Sequence, residues 1–170
     1  MIHNAAVSVV LGALLFAGCA SPPPPDPGAV AAAYAEAGQY EEAAREIDLA
    51  VRAHPRDVQL RKQAAQIHER AGTMGRAVGH LEAAIQLAPS DPEIWIALGD
   101  IETQRDNTAD AYVAYRRAAE LAPREIRAVA GLALAADHLG FEEEAEAAYA
   151  RWSALEAELG TKSPRKRRDD

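Results

Sequence analysis

The stretch that decides the fold is PEIWIALGDIETQRDNTADAYVAYRRAAELAP, residues Pro92–Pro123. It predicts two helices, the first ending near Asp106 and the second ending before Pro123. The same arrangement recurs along the chain at a fixed interval of 34 residues, which is typical of a solenoid of repeated supersecondary units. The residues in phase are the alanines Ala43, Ala77, Ala111 and Ala145, the prolines Pro55, Pro89 and Pro123, and the glycines Gly38, Gly72 and Gly140, with Asp106 in the remaining glycine position.

The composition of the 170 residues supports an all-α fold. Hydrophobic residues make up 49% of the chain but aromatic residues only 5%, and alanine supplies much of the difference. Small side chains let helix axes approach closely, and alanine has the highest helix propensity. Strands would need runs of β-branched and aromatic residues, which the sequence lacks.

The punctuation of each unit predicts the helix boundaries. A glycine suits the left-handed residue that ends a first helix, and the helix that follows ends before the proline. Asp106 can also adopt the left-handed conformation, at a higher cost than glycine. The predicted helices are Pro27–Ala37, Glu41–Ala53, Asp57–Ala71, Met74–Ala88, Pro92–Arg105, Ala109–Ala122, Arg124–Leu139 and Glu142–Leu159.

These units resemble the tetratricopeptide repeat (TPR), whose pattern is W-x2-L-G-x2-Y, then A-x3-F, then A, then P. The third unit matches it best, through Trp95, Leu98, Gly99, Ala111, Tyr115, Ala118 and Pro123. The resemblance implies a right-handed α-solenoid of four helix-turn-helix units within residues 27–160. The units fall at about 24–57, 58–91, 92–125 and 126–159, in register with the 34-residue interval.

The last unit departs from the pattern. Trp152 replaces a small residue, and Ala157 stands where the proline is expected. No further unit covers this one, so we expect an extended terminal helix with a partly polar outer face.

The only cysteine of the chain, Cys19, follows an apolar run, Val7–Ala17, that is typical of a signal peptide. The residues Phe16-Ala17-Gly18-Cys19 resemble the lipobox of bacterial lipoproteins, in which the cysteine receives diacylglycerol and becomes the new amino terminus. The resemblance predicts a signal peptide at 1–18 and an acylated cysteine with a proline-rich spacer at 19–26. The other interpretation is a small apolar residue in an ordinary signal or helix.

No set of residues favours an enzyme. His68-Glu69-Arg70-Ala71-Gly72 starts like a zinc-binding H-E-x-x-H motif, but Gly72 occupies the position of the second histidine. His54, His68, His80 and His138 show no i, i+4 pairing, so we expect them to be hydrogen-bonded or exposed rather than metal ligands. The sequence predicts no cofactor, no metal and no small-molecule substrate.

Binding of a protein segment is the function that the TPR resemblance implies, because first helices of that family line a concave groove. Counting the family's groove positions along each unit predicts a groove of mixed charge that suits an amphipathic or mixed-charge segment. The predicted groove residues are Lys62, Gln66, Arg70, Glu93, Ile96, Asp100, Gln104, Arg127, Leu134 and His138.

Charge and targeting signals complete the expected function. The formal net charge is −8, and the basic residues of the tail, 161–170, lie outside the predicted domain, which argues against a nucleic-acid partner. The tail is expected to be disordered, either as a solvated terminus or as a segment drawn to anionic lipid. We expect a lipid-anchored adaptor of the bacterial cell envelope, possessing an assembly or pilot role for an envelope machine, with the outer membrane favoured over the inner. The alternatives are a soluble periplasmic or cytoplasmic scaffold without lipid, and a regulatory module of an envelope enzyme.

Overall fold

The computed structural model describes residues 26–160, and these residues form eight α-helices and no strand. Every predicted helix is confirmed, and the largest boundary difference is two residues, at the start of the seventh. The helices are α1 (Pro27–Glu36), α2 (Tyr40–Ala53), α3 (Val58–Arg70), α4 (Met74–Leu87), α5 (Pro92–Gln104), α6 (Thr108–Leu121), α7 (Ile126–Leu139) and α8 (Glu142–Leu159).

Acidic side chains start the first helix of every unit. Asp26, Asp57, Asp91 and Glu125 each accept a hydrogen bond from a backbone N–H in the first turn that follows. The first N–H groups of a helix have no partner within the helix, and a carboxylate also complements the positive end of the helix dipole. The four first helices therefore begin in the same register of the repeat.

The turn inside each unit needs one residue with positive φ. Gly38, Gly72 and Gly140 have φ of 73°, 72° and 75°, and Asp106 has φ of 60°. The prediction that Asp106 takes the place of a glycine is confirmed. Its turn carries extra bonds, because the buried Glu102 carboxylate accepts hydrogen bonds from Arg105 and Asn107.

The helices pack in chain order, each against the next, which gives an α-solenoid. The four in-phase alanines are all buried in the cores between helices. Their small side chains leave room for the two helices of a unit to cross closely. The first helices of the third and fourth units, α5 and α7, also contact each other directly.

The end of the solenoid has the expected extended helix. The last helix, α8, has 18 residues, whereas the second helices of the earlier units have 14. Trp152 packs partly buried against the core of the last two units. Arg151 donates hydrogen bonds to the backbone carbonyls of Ala119 and Pro123, which fixes α8 to the preceding unit. Several glutamates face solvent on α8: Glu142, Glu143, Glu146 and Glu158.

Cys19, most of the proline-rich spacer and the basic tail lie outside the described residues. Within residues 26–160, none of the helices is both long enough and apolar enough to cross a membrane.

Candidate functional site

The candidate site is the surface carried by the first helices of the units, α1, α3, α5 and α7, which we call the first-helix face. Polar side chains join neighbouring helices across it. Lys62 on α3 forms an ion pair with Asp91, the residue that caps α5, at an Nζ–Oδ2 distance of 3.1 Å. Gln104 on α5 donates a hydrogen bond to Glu69 on α3. Both pairs fix the second unit against the third.

Arg127 is the cationic centre of the face between the third and fourth units. Its guanidinium lies 2.5 Å from the Asp100 carboxylate and 3.5 Å from the Glu93 carboxylate, both on α5. Asp100 also accepts a hydrogen bond from the buried Tyr115 hydroxyl at 2.7 Å. The predicted groove charges are therefore brought together, but they already form pairs with one another.

A small apolar concavity lies beside this cationic centre. Its volume is about 150 Å³, and Leu134, with 47% of its surface exposed, lines it. His138 and Thr103 lie at the same depression, with the ring of Tyr115 and Gly131 among the other lining residues. An exposed leucine beside a recess offers a docking point for one apolar side chain of a partner.

The remaining predicted groove residues separate in the structure. Gln66 is exposed on α3. Arg70 donates a hydrogen bond to the Tyr40 hydroxyl at 3.1 Å and lies over its ring, so it faces the first unit rather than Arg127. The first-helix face thus presents two separate regions, one at Arg70 and one at Arg127.

Ile96 corrects the sequence prediction. It was expected in the groove, but its exposed fraction is 0% and it packs with Tyr112, Tyr115 and Val129 in the core. The equivalent residue of the second unit, Lys62, has a polar end that reaches Asp91 at the surface. An isoleucine has no such end, and burial of its side chain is favourable. Ile96 therefore supports the face from below and does not touch a partner.

Tyr115 connects the core to the face. Burial raises the pKa of its phenol, and the hydrogen bond to the Asp100 carboxylate raises it further. A neutral hydroxyl is required to donate that bond. Tyr115 thereby holds the Asp100 carboxylate in position for Arg127.

The histidines divide into two kinds. His54 and His138 are exposed, whereas His68 and His80 meet beside Asp48, although 12 residues separate them in the sequence. Burial raises the pKa of Asp48, but hydrogen bonds from both imidazoles outweigh it and hold the pKa below its usual value. Burial, together with the neighbouring His68, lowers the pKa of His80. Atoms of Asp48, His68 and His80 lie close enough to hold one metal ion.

Sequence reasoning missed three residues that shape the first-helix face. Asp91 was assigned to no pair, although its position at a helix start fixes it near α3. Glu69 was considered only in a failed zinc motif, and Gly131 lies outside the repeat pattern. Their partners belong to other helices, so the 34-residue interval carries a signal only for Asp91, through its relation to the cap at Asp57.

Comparisons with known proteins agree with this architecture. The family model described as tetratricopeptide repeat matches residues 58–101. The peroxisomal targeting signal receptor of Komagataella phaffii (strain GS115 / ATCC 20864) is 32% identical over 71 residues, 42% of this chain and 12% of the receptor. The PEX5-related protein of Homo sapiens is 35% identical over 72 residues, again 42% of this chain and 12% of the relative. The chain therefore spans a small part of these relatives.

Solved structures show the same fold. A crystal structure of MamA superposes with a TM-score of 0.70 at 21% identity, covering 75% of each chain. MamA residues 41 to the end from Desulfovibrio magneticus RS-1 give a TM-score of 0.66 at 20% identity, covering 81% of this chain and 76% of MamA. The family-model match and this shared fold support the tetratricopeptide repeat family as the family of the repeats in this chain.

Proposed function

We propose that this chain is a lipid-anchored scaffold of the bacterial cell envelope that binds a segment of a partner protein on its first-helix face. Tetratricopeptide repeats mediate protein–protein interactions, and the one observation that carries the groove is the exposed Leu134 at the concavity beside Arg127. The name of one relative, a targeting signal receptor, is in keeping with recognition of a protein segment. The role within an envelope machine would be that of an assembly or pilot factor.

The form of the face suggests the chemistry of the segment. An apolar side chain would enter the concavity at Leu134, and a neighbouring acidic group would compete with Asp100 and Glu93 for the Arg127 guanidinium. Exposed ion pairs contribute little to folding, so exchange of one carboxylate for another costs little. An amphipathic segment with a carboxylate next to an apolar residue fits both features.

In-cell photocrosslinking tests the binding face. A photoreactive residue at position 134 should capture one discrete partner in a bacterial host that exports the chain. Val113 is the matched control, because it is an apolar residue on a second helix with 51% of its surface exposed. A third position, Glu146 on α8, tests the acidic terminal helix. Capture at 113 or 146 with none at 134 would contradict the first-helix face as the binding site.

The lipid anchor requires a separate experiment because Cys19 lies outside the described residues. Two or three acyl chains would anchor a soluble domain stably, since each buried methylene contributes about 0.8 kcal/mol. We expect radiolabelled palmitate to enter the chain in a bacterial host and to be lost in Cys19→Ser. Label that persists in Cys19→Ser would exclude this site. An exported but unlabelled chain that still crosslinks at 134 would favour the soluble scaffold.

A further inference from the structure

The strongest feature outside the first-helix face is a three-residue cluster that links the first two units. Asp48 lies on α2, His68 on α3 and His80 on α4. Asp48 Oδ1 lies 3.0 Å from His68 Nε2 and 3.2 Å from His80 Nε2. Three consecutive helices thus direct one oxygen and two nitrogen ligands toward a common point.

The hydrogen bonds of His68 determine which of its nitrogens carries a lone pair. The Thr73 hydroxyl donates its single hydrogen to the His68 carbonyl oxygen. The same hydroxyl oxygen lies 2.8 Å from His68 Nδ1, so it can only accept a hydrogen from that nitrogen. Neutral His68 is therefore protonated at Nδ1, and its Nε2 lone pair faces the Asp48 carboxylate.

Two electron-rich atoms 3.0 Å apart need a cation between them. Either a proton on His68 or a metal ion could satisfy this need. The metal has further support, because His80 directs a second nitrogen to the same carboxylate oxygen. Ligands at about 2.1 Å from a tetrahedral metal are separated by about 3.3 Å, close to the two distances observed here.

The surroundings resemble those of a metal ligand set. His68 has an exposed fraction of 1%, and its Nδ1–H bond to Thr73 fixes the ring orientation, as outer hydrogen bonds do for metal-binding histidines. Arg76 binds the second Asp48 oxygen at 3.1 Å and leaves Oδ1 available. The side chains of Asp48 and His80 are 23% and 16% exposed, which leaves a route for the ion.

We propose that Asp48, His68 and His80 bind one divalent metal ion of the zinc class, which joins the first unit of the solenoid to the second. Water would occupy the fourth position on the exposed side. The imidazole nitrogens and the carboxylate oxygen are ligands that zinc prefers. Arg76 and Arg61 lie nearby as positive charges and oppose binding, so the site favours an ion with strong affinity for imidazole over Mg²⁺ or Ca²⁺.

Cobalt and zinc titrations of the purified full chain, prepared without a histidine tag, test the site. One equivalent of Co²⁺ should give the visible absorption bands of a tetrahedral complex, and Zn²⁺ should remove them by displacement. Zn²⁺ should also raise the melting temperature, because it binds the folded chain preferentially. The absence of a cobalt spectrum in the wild type would mean that a proton satisfies His68, and it would overturn the proposal.

Variants identify the ligands. His80→Gln and Asp48→Asn should each weaken the affinity at least about tenfold. His138→Gln, which changes an exposed histidine, and Cys19→Ser, which removes the only thiol, should leave the affinity unchanged. Circular dichroism must show the wild-type helical content in each variant, and His68→Gln is avoided because its side chain is buried. Unchanged affinity in both ligand variants, or loss in Cys19→Ser, would contradict the proposed site.

Discussion

The ring of Tyr115 lies directly against the backbone of Gly131, where a Cβ atom would be 2.5 Å from two of the ring carbons. On its other side the ring meets Gly99, where a Cβ would lie 2.7 Å away. The ring is therefore enclosed by two glycines on neighbouring first helices and has no direction in which to retreat. The contact between α5 and α7 depends on both glycines, and so does the position of Asp100.

Gly131→Ala should destabilise the fold despite the higher helix propensity of alanine. Overpacking costs about 1–3 kcal/mol, and the propensity gain returns up to about 1 kcal/mol, so we expect a net loss of about 1–2 kcal/mol. Gly79→Ala is the control, because Gly79 is also helical but has open space around its Cβ position. It should stabilise the chain. Urea unfolding measures both, and equal changes would contradict the enclosed ring.

Asp106→Gly should stabilise the chain, because Asp106 has φ of 60° in the position that glycine holds in the other units. The left-handed conformation costs a residue with a Cβ roughly 1–2 kcal/mol, and the greater freedom of glycine in the unfolded chain offsets about 0.4–1 kcal/mol. We expect a gain of about 0.5 kcal/mol.

The reverse change supplies the control for that turn. Gly72→Asp places the same side chain at φ of 72° and should lower the free energy of unfolding by about 1 kcal/mol. Chemical denaturation of both variants gives the comparison. Changes of the same sign in the two variants would show that contacts of the side chain, rather than backbone conformation, decide the energy.

Ala77→Leu tests the close crossing of two helices in the second unit. Ala77 has an exposed fraction of 0% and packs near Leu81 in the core. Added methylene groups in a filled core typically cost about 1–3 kcal/mol, so the melting temperature should fall. Ala109→Leu, at an exposed position on α6, should change it little. An unaltered melting temperature in Ala77→Leu would be inconsistent with a close crossing there.

The helices and turns could be predicted because their signals are local and repeat every 34 residues. The glycine position of each turn, including Asp106, and the alanine at each helix crossing follow from that interval alone. Ile96 could not be predicted in the same way, because its burial depends on how Tyr112 and Val129 pack from other helices. The Asp48, His68 and His80 cluster likewise forms across three helices, and its spacing matches no local metal motif.

The stability of the chain should decrease in alkaline solution as Tyr115 ionises. Burial raises the pKa of this phenol above its usual value of 10.0, and the Asp100 carboxylate adds to the shift. A raised pKa in the folded state gives stability that is present in full below pH 10 and is lost as pH rises through the folded-state value. Tyr115→Phe removes this loss, although it also removes the hydrogen bond to Asp100.

Urea unfolding of the wild type and Tyr115→Phe between neutral pH and pH 11 measures the difference. At neutral pH the variant should be less stable by about 1–2 kcal/mol, the range for a hydrogen bond to a charged group. Above pH 10 the gap should narrow, because only the wild type loses stability through this phenol. A gap that stays constant would show that Tyr115 ionises alike in the folded and unfolded chains.

Arg127→Gln should separate the charge needed for binding from the charge needed for folding. Arg127 pairs with Asp100 and Glu93, but its side chain is 56% exposed, and exposed pairs contribute about 0–1 kcal/mol. The free energy of unfolding should therefore change by less than about 1 kcal/mol, because Tyr115 still donates to Asp100. Crosslinking from position 134 should nevertheless fall, since the partner's carboxylate loses its guanidinium. Lys62→Gln is the matched control, because it removes a cation of the same face that pairs with Asp91, away from the concavity. An equal fall in both variants would show that the net charge of the face, and not Arg127, attracts the partner.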